Sequence, residues 1–265
     1  MGRWLARKLT QKGQHVVIID RDKKRLKDAA EEGYETSAEP ASVAGADALI
    51  FAVPIAGFEE AVKSVVAFVG PGQLFFDITS VKSMPVEVMH KYLPGRSVLG
   101  THPVFGPGTN DDLNGQNVVL TPGSETDNVL ASQLKKLLEK EGAVVSIMTP
   151  QKHDELMSVV LGLAHYLAIV AGDTLLSLDD ITEMARISGP TFRALLSLID
   201  SVLREDPGLY AAIQLNLPAL PAVERLCAKK AQQWADITAA GAEKEFIERM
   251  TRLRVMFEER CRKEV

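Results

Sequence analysis

The feature that most constrains this chain is an alternation that stops partway. Residues 15–20 (HVVIID), 46–53 (ADALIFAV), 74–78 (LFFDI), 98–101, 118–121 and 144–148 are short, apolar and rich in β-branched side chains, and each reads as a buried strand. Between them, residues 3–12, 23–31, 58–68, 86–92 and 127–141 space their apolar side chains as amphipathic helices do. Strand and helix alternating in this way predict an α/β domain, a doubly wound, mostly parallel sheet of Rossmann type covered on both faces. After Thr149-Pro150 only helical patterns remain, at 153–177, 181–187, 191–204, 208–216, 220–239 and 243–261. The expected organisation is therefore an α/β domain over residues 1–149 and an all-α domain over 150–265.

Composition narrows the classes of partner. A content of 46% hydrophobic and 25% charged residues supports an ordinary core. The 30 basic and 35 acidic residues are mixed along the chain and leave a net charge of −5, which is not the footprint of a nucleic-acid binder. Two cysteines, Cys227 and Cys261, give neither a disulfide framework nor metal-ligand spacing, so reduced thiols, a cytoplasmic location and no metal are expected. Residues 156–172 (LMSVVLGLAHYLAIVAG) approach the roughly 18–20 residues of a membrane span. His165, Ser158 and two glycines interrupt that stretch and Asp173 follows it. It reads instead as a helix covered by other protein, and a helix so apolar predicts a homodimer through the helical half.

Asp20 ends the first strand segment, and the helix before it opens on Gly2. This matches the back half of a dinucleotide-binding βαβ unit. Gly2 stands where the last glycine of G-x-G-x-x-G belongs, about 20 residues before an acidic side chain that takes the ribose hydroxyls. Arg21 beside it could meet a 2′-phosphate, so NADP stays open beside NAD. The first strand and the preceding glycines are not in this sequence, and the natural protein is expected to start upstream. A plain strand-ending role for Asp20 is the alternative.

Ligands of open α/β sheets collect beyond the carboxyl ends of the strands. There the sequence offers Pro54, then Thr79-Ser80-Val81-Lys82, then Thr101-His102-Pro103. A hydroxyl, a cation and an imidazole would share one rim, with His102 able to take a proton from a hydroxyl; a structural histidine is the other reading. His153-Asp154 is expected to start and cap the first long helix, with a pocket role second.

Four segments together resemble the prephenate dehydrogenase family: DITSVK at 77–82, GTHPVFGPG at 100–108, His153-Asp154 followed by His165, and SGPTFRALL at 188–196 ahead of DPGLYAAI at 206–213. The resemblance runs from Gly2 to about Asn216. It implies oxidation of the ring hydroxyl of prephenate by hydride transfer to NAD, with loss of CO₂ and formation of 4-hydroxyphenylpyruvate. It further implies that His102 is the catalytic base, that Ser80 holds the reacting hydroxyl in register, and that Arg193 binds the side-chain carboxylate. Lys82 and His165 are implied to line the substrate pocket, the cations offsetting a dianion. Gly2, Asp20, Arg21 and Pro54 would meet the cofactor. Arogenate is the competing substrate, and a non-catalytic nucleotide-sensing module is the competing class.

Overall fold

A computed structural model describes residues 1–106 and 112–261, without the side chain of Cys261. The Pro107-Gly108 end of the GTHPVFGPG motif lies outside the described residues. The elements come in the order α1 (Gly2–Gln11), β1 (Val17–Ile19), α2 (Lys23–Glu31), β2 (Glu35–Ser37), β3 (Ala48–Phe51), α3 (Phe58–Val65), β4 (Leu74–Asp77) and α4 (Ser83–Tyr92). They continue as β5 (Ser97–Pro103), β6 (Asn117–Thr121), α5 (Glu125–Lys140) and β7 (Val144–Ile147). From there every element is helical: α6 (Pro150–Met157), a π-helical turn at Ser158–Leu163, α7 (Ala164–Leu176), α8 (Ile181–Arg186), α9 (Pro190–Leu203), α10 (Pro207–Asn216), α11 (Leu220–Ala239) and α12 (Glu243–Cys261). All six expected strands form. β2 was not expected, because ETS is polar and only three residues long.

The strands lie in the order β3-β4-β5-β6-β7, parallel throughout except between β5 and β6. Successive side chains of a strand face opposite sides, and the core follows that rule. Phe75 and Val98 join Phe51, Phe58, Val62 and Met89 under α3 and α4. On the opposite face Leu99 joins Val118, Leu120, Leu130 and Val145 under α5. Burial on both faces explains why these strands are apolar runs rather than alternating patterns. β1 and β2 form a separate parallel pair.

Packing divides the chain into two compact units, Met1–Pro218 and Ala219–Val265. The second is a helical pair in which the Trp234 and Phe246 rings meet edge to face at 5.2 Å. In the first, residues Pro150–Leu176 make one apolar stretch of 27 residues, long and apolar enough to cross a membrane, of whose most apolar window the chain itself buries 17%. The cover expected for this helix is thus not supplied by the single chain. Val159, Val160, Leu167, Ile169 and Val170 remain exposed along it. Inside it, the π-helical turn frees backbone groups. Gln214 of α10 donates to the Gly162 carbonyl at 3.1 Å, and Ser158 Oγ donates to the Asp154 carbonyl at 2.8 Å.

Candidate active site

Strand β5 outruns its neighbour. Its pairing with β4 ends at Asp77 opposite Gly100, so Thr101 and His102 continue along the rim beyond the carboxyl end of β4. Gly100 is the residue that permits this crowding. A Cβ there would stand 2.2 Å from Thr121 Oγ1 and 2.8 Å from Val86 Cγ2, so a side chain would force those two groups to move and would press on the Lys82 stem at 3.2 Å.

Lys82 does not face a pocket. It is fully buried, with Nζ paired to Asp77 Oδ1 and donating to the Thr101 carbonyl at 2.8 Å. Asp77 Oδ1 also accepts from Thr79 N at 2.9 Å and lies 2.7 Å from Thr79 Oγ1. The Thr101 hydroxyl donates to the Asp77 carbonyl at 2.5 Å, so both rim segments are tied to the end of β4. Burial pushes the Asp77 carboxyl up and the Lys82 ammonium down, and their contact opposes both shifts. Whichever partner carries the proton, the pair is neutral overall. The expectation that Lys82 supplies a free cation to a dianion is therefore corrected: its charge is matched inside the protein.

His102 is buried, and its Nδ1 lies 2.8 Å from His153 Nε2. His153 Nδ1 lies 2.8 Å from Asp154 Oδ1. Asp154 accepts in addition the backbone N–H groups of Lys82, at 2.7 Å, and Ser83, at 2.8 Å. It therefore caps the N-terminus of α4, while α6 itself is capped by Thr149, whose hydroxyl accepts from Lys152 N. This corrects the expectation that His153-Asp154 begins and caps its own helix: both side chains are buried in the α6 interface with α4 and β5. Burial would raise the Asp154 carboxyl, but the hydrogen bonds from His153, Ser83 and Lys82 outweigh it and hold the group below its ordinary value. Burial pushes His102 well below the ordinary imidazole value; His153 and Lys82 push the same way and Asp154 opposes them. His102 is thus neutral near pH 7, the state a proton acceptor needs.

The other predicted residues lie apart from this cluster. Ser80 is half-buried on the loop between β4 and α4, and its hydroxyl makes no hydrogen bond among the described residues. His165 is half-buried on α7, its ring edge-on to Tyr210 at 4.6 Å and its Nδ1 without a partner among the described residues; burial lowers its pKa. Arg193 is exposed on α9, with Nε 3.4 Å from Ser188 Oγ. No hydrogen bond or ring contact joins His165 or Arg193 to the His102 cluster among the described residues. Asp77 is the site group to which residue patterns alone gave no reading of its own; for His153-Asp154 the pocket role, placed second from the sequence, is the one that matches their burial beside His102.

The residues expected at a cofactor sit at the amino end of α1 and the carboxyl ends of β1 and β3. A Cβ on Gly2 would stand 3.0 Å from Ala52 Cβ, the close helix-to-strand approach that the last fingerprint glycine allows. Asp20 follows β1, accepts from Asp22 N at 2.9 Å and keeps 29% of its side chain exposed. Arg21 and Pro54 are exposed, Pro54 just beyond β3. An acidic acceptor at the strand end and a glycine at the helix start fit the adenosine half of a dinucleotide.

Comparison with known proteins identifies the family. The family profile for the prephenate dehydrogenase nucleotide-binding domain matches residues 5–147, and the profile for the prephenate dehydrogenase dimerization domain matches 149–252. A protein of Methanocaldococcus jannaschii described as a probable arogenate/prephenate dehydrogenase is 35% identical over 242 residues, covering 89% of this chain and 54% of that protein. A 4-amino-4-deoxyprephenate dehydrogenase of Streptomyces pristinaespiralis is 27% identical over 215 residues, covering 81% of this chain and 71% of its own length. The chain spans about half the length of several curated relatives it matches. Its fold is shared with a crystal structure of A. aeolicus prephenate dehydrogenase in complex with hydroxyphenyl propionate and NAD+, at a TM-score of 0.79 and 24% identity over 98% of this chain and 94% of that one. With both of the family's domains matched in order from residue 5 to residue 252, this chain belongs to the prephenate dehydrogenase family.

Proposed function

We propose that this protein oxidises the ring hydroxyl of prephenate, with NAD as acceptor, giving 4-hydroxyphenylpyruvate and CO₂. The observation that carries the reading is a buried, neutral His102 at the carboxyl rim of a family nucleotide-binding domain. When bound, NAD supplies the hydride acceptor. Gly2, Asp20 and Pro54 are the residues that would hold it, and Arg21 leaves room for NADP. His102 takes the hydroxyl proton, so that the ring carbon can become a carbonyl as its hydride departs. Loss of the ring carboxylate as CO₂ then makes the ring aromatic and draws the reaction forward. Ser80, with an unengaged hydroxyl, orients the substrate hydroxyl toward His102. Arg193, without a carboxylate partner among the described residues, takes the side-chain carboxylate, where a guanidinium fork can bind both oxygens. His165 lines the substrate side.

Arogenate is the second reading, supported by the relative whose name covers both substrates. It differs at the side chain, where Arg193 can serve either. The exposed apolar face of the 27-residue helix and the match to a dimerization domain support a homodimer. The test is reduction of NAD followed by absorbance with prephenate and with arogenate as separate substrates. Turnover with prephenate at least tenfold more efficient than with arogenate supports the reading, and turnover with neither overturns it.

A further inference from the structure

The proposed reaction needs a lone pair on the His102 ring nitrogen that faces substrate, yet a neutral imidazole carries its proton on either nitrogen with little intrinsic preference. Resting on that functional reading, we propose that Asp154 and His153 act as positioning residues, forming a relay that fixes His102 in the Nδ1–H tautomer and leaves Nε2 as the bare acceptor. Asp154 is surrounded by donors, the N–H groups of Lys82 and Ser83 and the His153 ring, and an ionised carboxylate can only accept. With a neutral ring, His153 must therefore hold its proton on Nδ1, which makes its Nε2 an acceptor. The nitrogen 2.8 Å away, His102 Nδ1, must then be the donor. One proton is left for the His102 ring and it sits on Nδ1, so Nε2 is free. Nε2 has no hydrogen-bond partner among the described residues.

The polarity of the whole chain is set at its far end. Both α4 backbone donors are fixed in direction by the helix, and they orient the carboxylate on which everything else depends. When His102 accepts the substrate proton on Nε2, its Nδ1–H still points at the His153 lone pair. The resulting cation thus keeps its hydrogen bond, with the Asp154 charge one ring further away. No proton needs to leave the site for the first step to balance: the hydroxyl proton moves to Nε2 and every other N–H stays where it was. The same arrangement gives a reason for burying both rings, since water would let either tautomer form.

The decisive measurement is direct. With the histidines labelled with ¹⁵N, long-range proton–nitrogen correlation spectra report which nitrogen of each of the five rings bears the proton, and the His102→Asn variant assigns the His102 signal. In the free protein near pH 7 the expected result is Nδ1–H for both His102 and His153. Nε2–H on His102 overturns the relay. Two variants add a functional readout that a packing role would not split. His153→Gln can place an amide oxygen near the former Nε2, so His102 keeps its acceptor and its tautomer. His153→Asn cannot reach, and mixed tautomers should appear. The expected kcat with prephenate falls about 10- to 100-fold for His153→Asn and less than tenfold for His153→Gln, with KM within about twofold in both. Equal losses in the two variants overturn the proposal. Because the tautomer is read without substrate, the expected spectrum in a protein that oxidises neither prephenate nor arogenate supports the relay and overturns the functional reading alone.

Discussion

Replacing Lys82 with Met asks whether this lysine holds the protein together or meets the substrate. Its ammonium is fully buried against Asp77 Oδ1 and the Thr101 carbonyl, while Asp77 Oδ2 already has no partner among the described residues. Removing the ammonium leaves a buried carboxylate with only Thr79 to stabilise it. Breaking a buried pair on one side costs about 3–5 kcal/mol, which for a chain of this size lowers Tm by about 6–20 °C. The cost should depend on pH. Without the lysine, the folded-state pKa of Asp77 lies above its unfolded value, so the penalty is full at neutral pH and shrinks as pH falls and the carboxyl takes up a proton. The double variant Asp77→Asn with Lys82→Met leaves no buried charge and should recover most of the lost Tm. Thermal unfolding followed by circular dichroism at pH 7 and pH 5 measures all three proteins. A Lys82→Met loss under about 1 kcal/mol, or a double variant as unstable as the single, refutes the buried-pair argument. In the refolded double variant, a KM for prephenate raised tenfold or more would return Lys82 to the substrate.

Other consequences are separable. His102→Asn keeps a polar side chain without a base, so kcat should fall about a hundredfold or more while prephenate still binds, as steady-state kinetics and calorimetry would report. Arg193→Gln should raise KM about 30-fold, equivalent to about 2 kcal/mol, the low end of the range for truncating one side of a charge pair because the arginine is exposed in the single chain. A pH profile of kcat/KM should hold its activity through pH 6.5 and lose it only lower, because His102 must be neutral to act and burial keeps it so well below that value. Light scattering should give a mass twice the 28.9 kDa of the chain, and Leu167→Glu on the exposed face of α7 should reduce it to that of a monomer.

Much of this fold could be read from periodicity, because burial on both faces writes itself into a strand as a continuous apolar run. β2 escaped for the converse reason: its three residues, Glu35–Ser37, pair only with β1 and carry no apolar signal. The π-helical turn at Ser158–Leu163 was equally invisible, since its composition is that of the helices either side and only its hydrogen bonds differ. At the site, strand ends and motif residues pointed to His102 and Ser80, but the cluster behind His102 depends on pairings across 51 positions, to His153, and 72, between Lys82 and Asp154. Asp154 shows the limit well. It is a capping residue, as its type suggests, yet the helix it caps is α4, far earlier in sequence. Lys82 shows another: within the DITSVK motif it reads as a pocket cation, and only packing reveals that Asp77 matches it.

The Asp154 clamp also sets when during synthesis the site can come into being. His102 and the strand that bears it can be complete while the ribosome still holds residues 153 and 154, and until those arrive nothing orders the His102 ring or closes the backbone at the start of α4. At the usual rate of about 5–20 residues per second, that interval lasts a few seconds. A nascent α/β half would therefore carry the reactive imidazole in no fixed tautomer, and competence would begin with the docking of the first helix that follows the sheet.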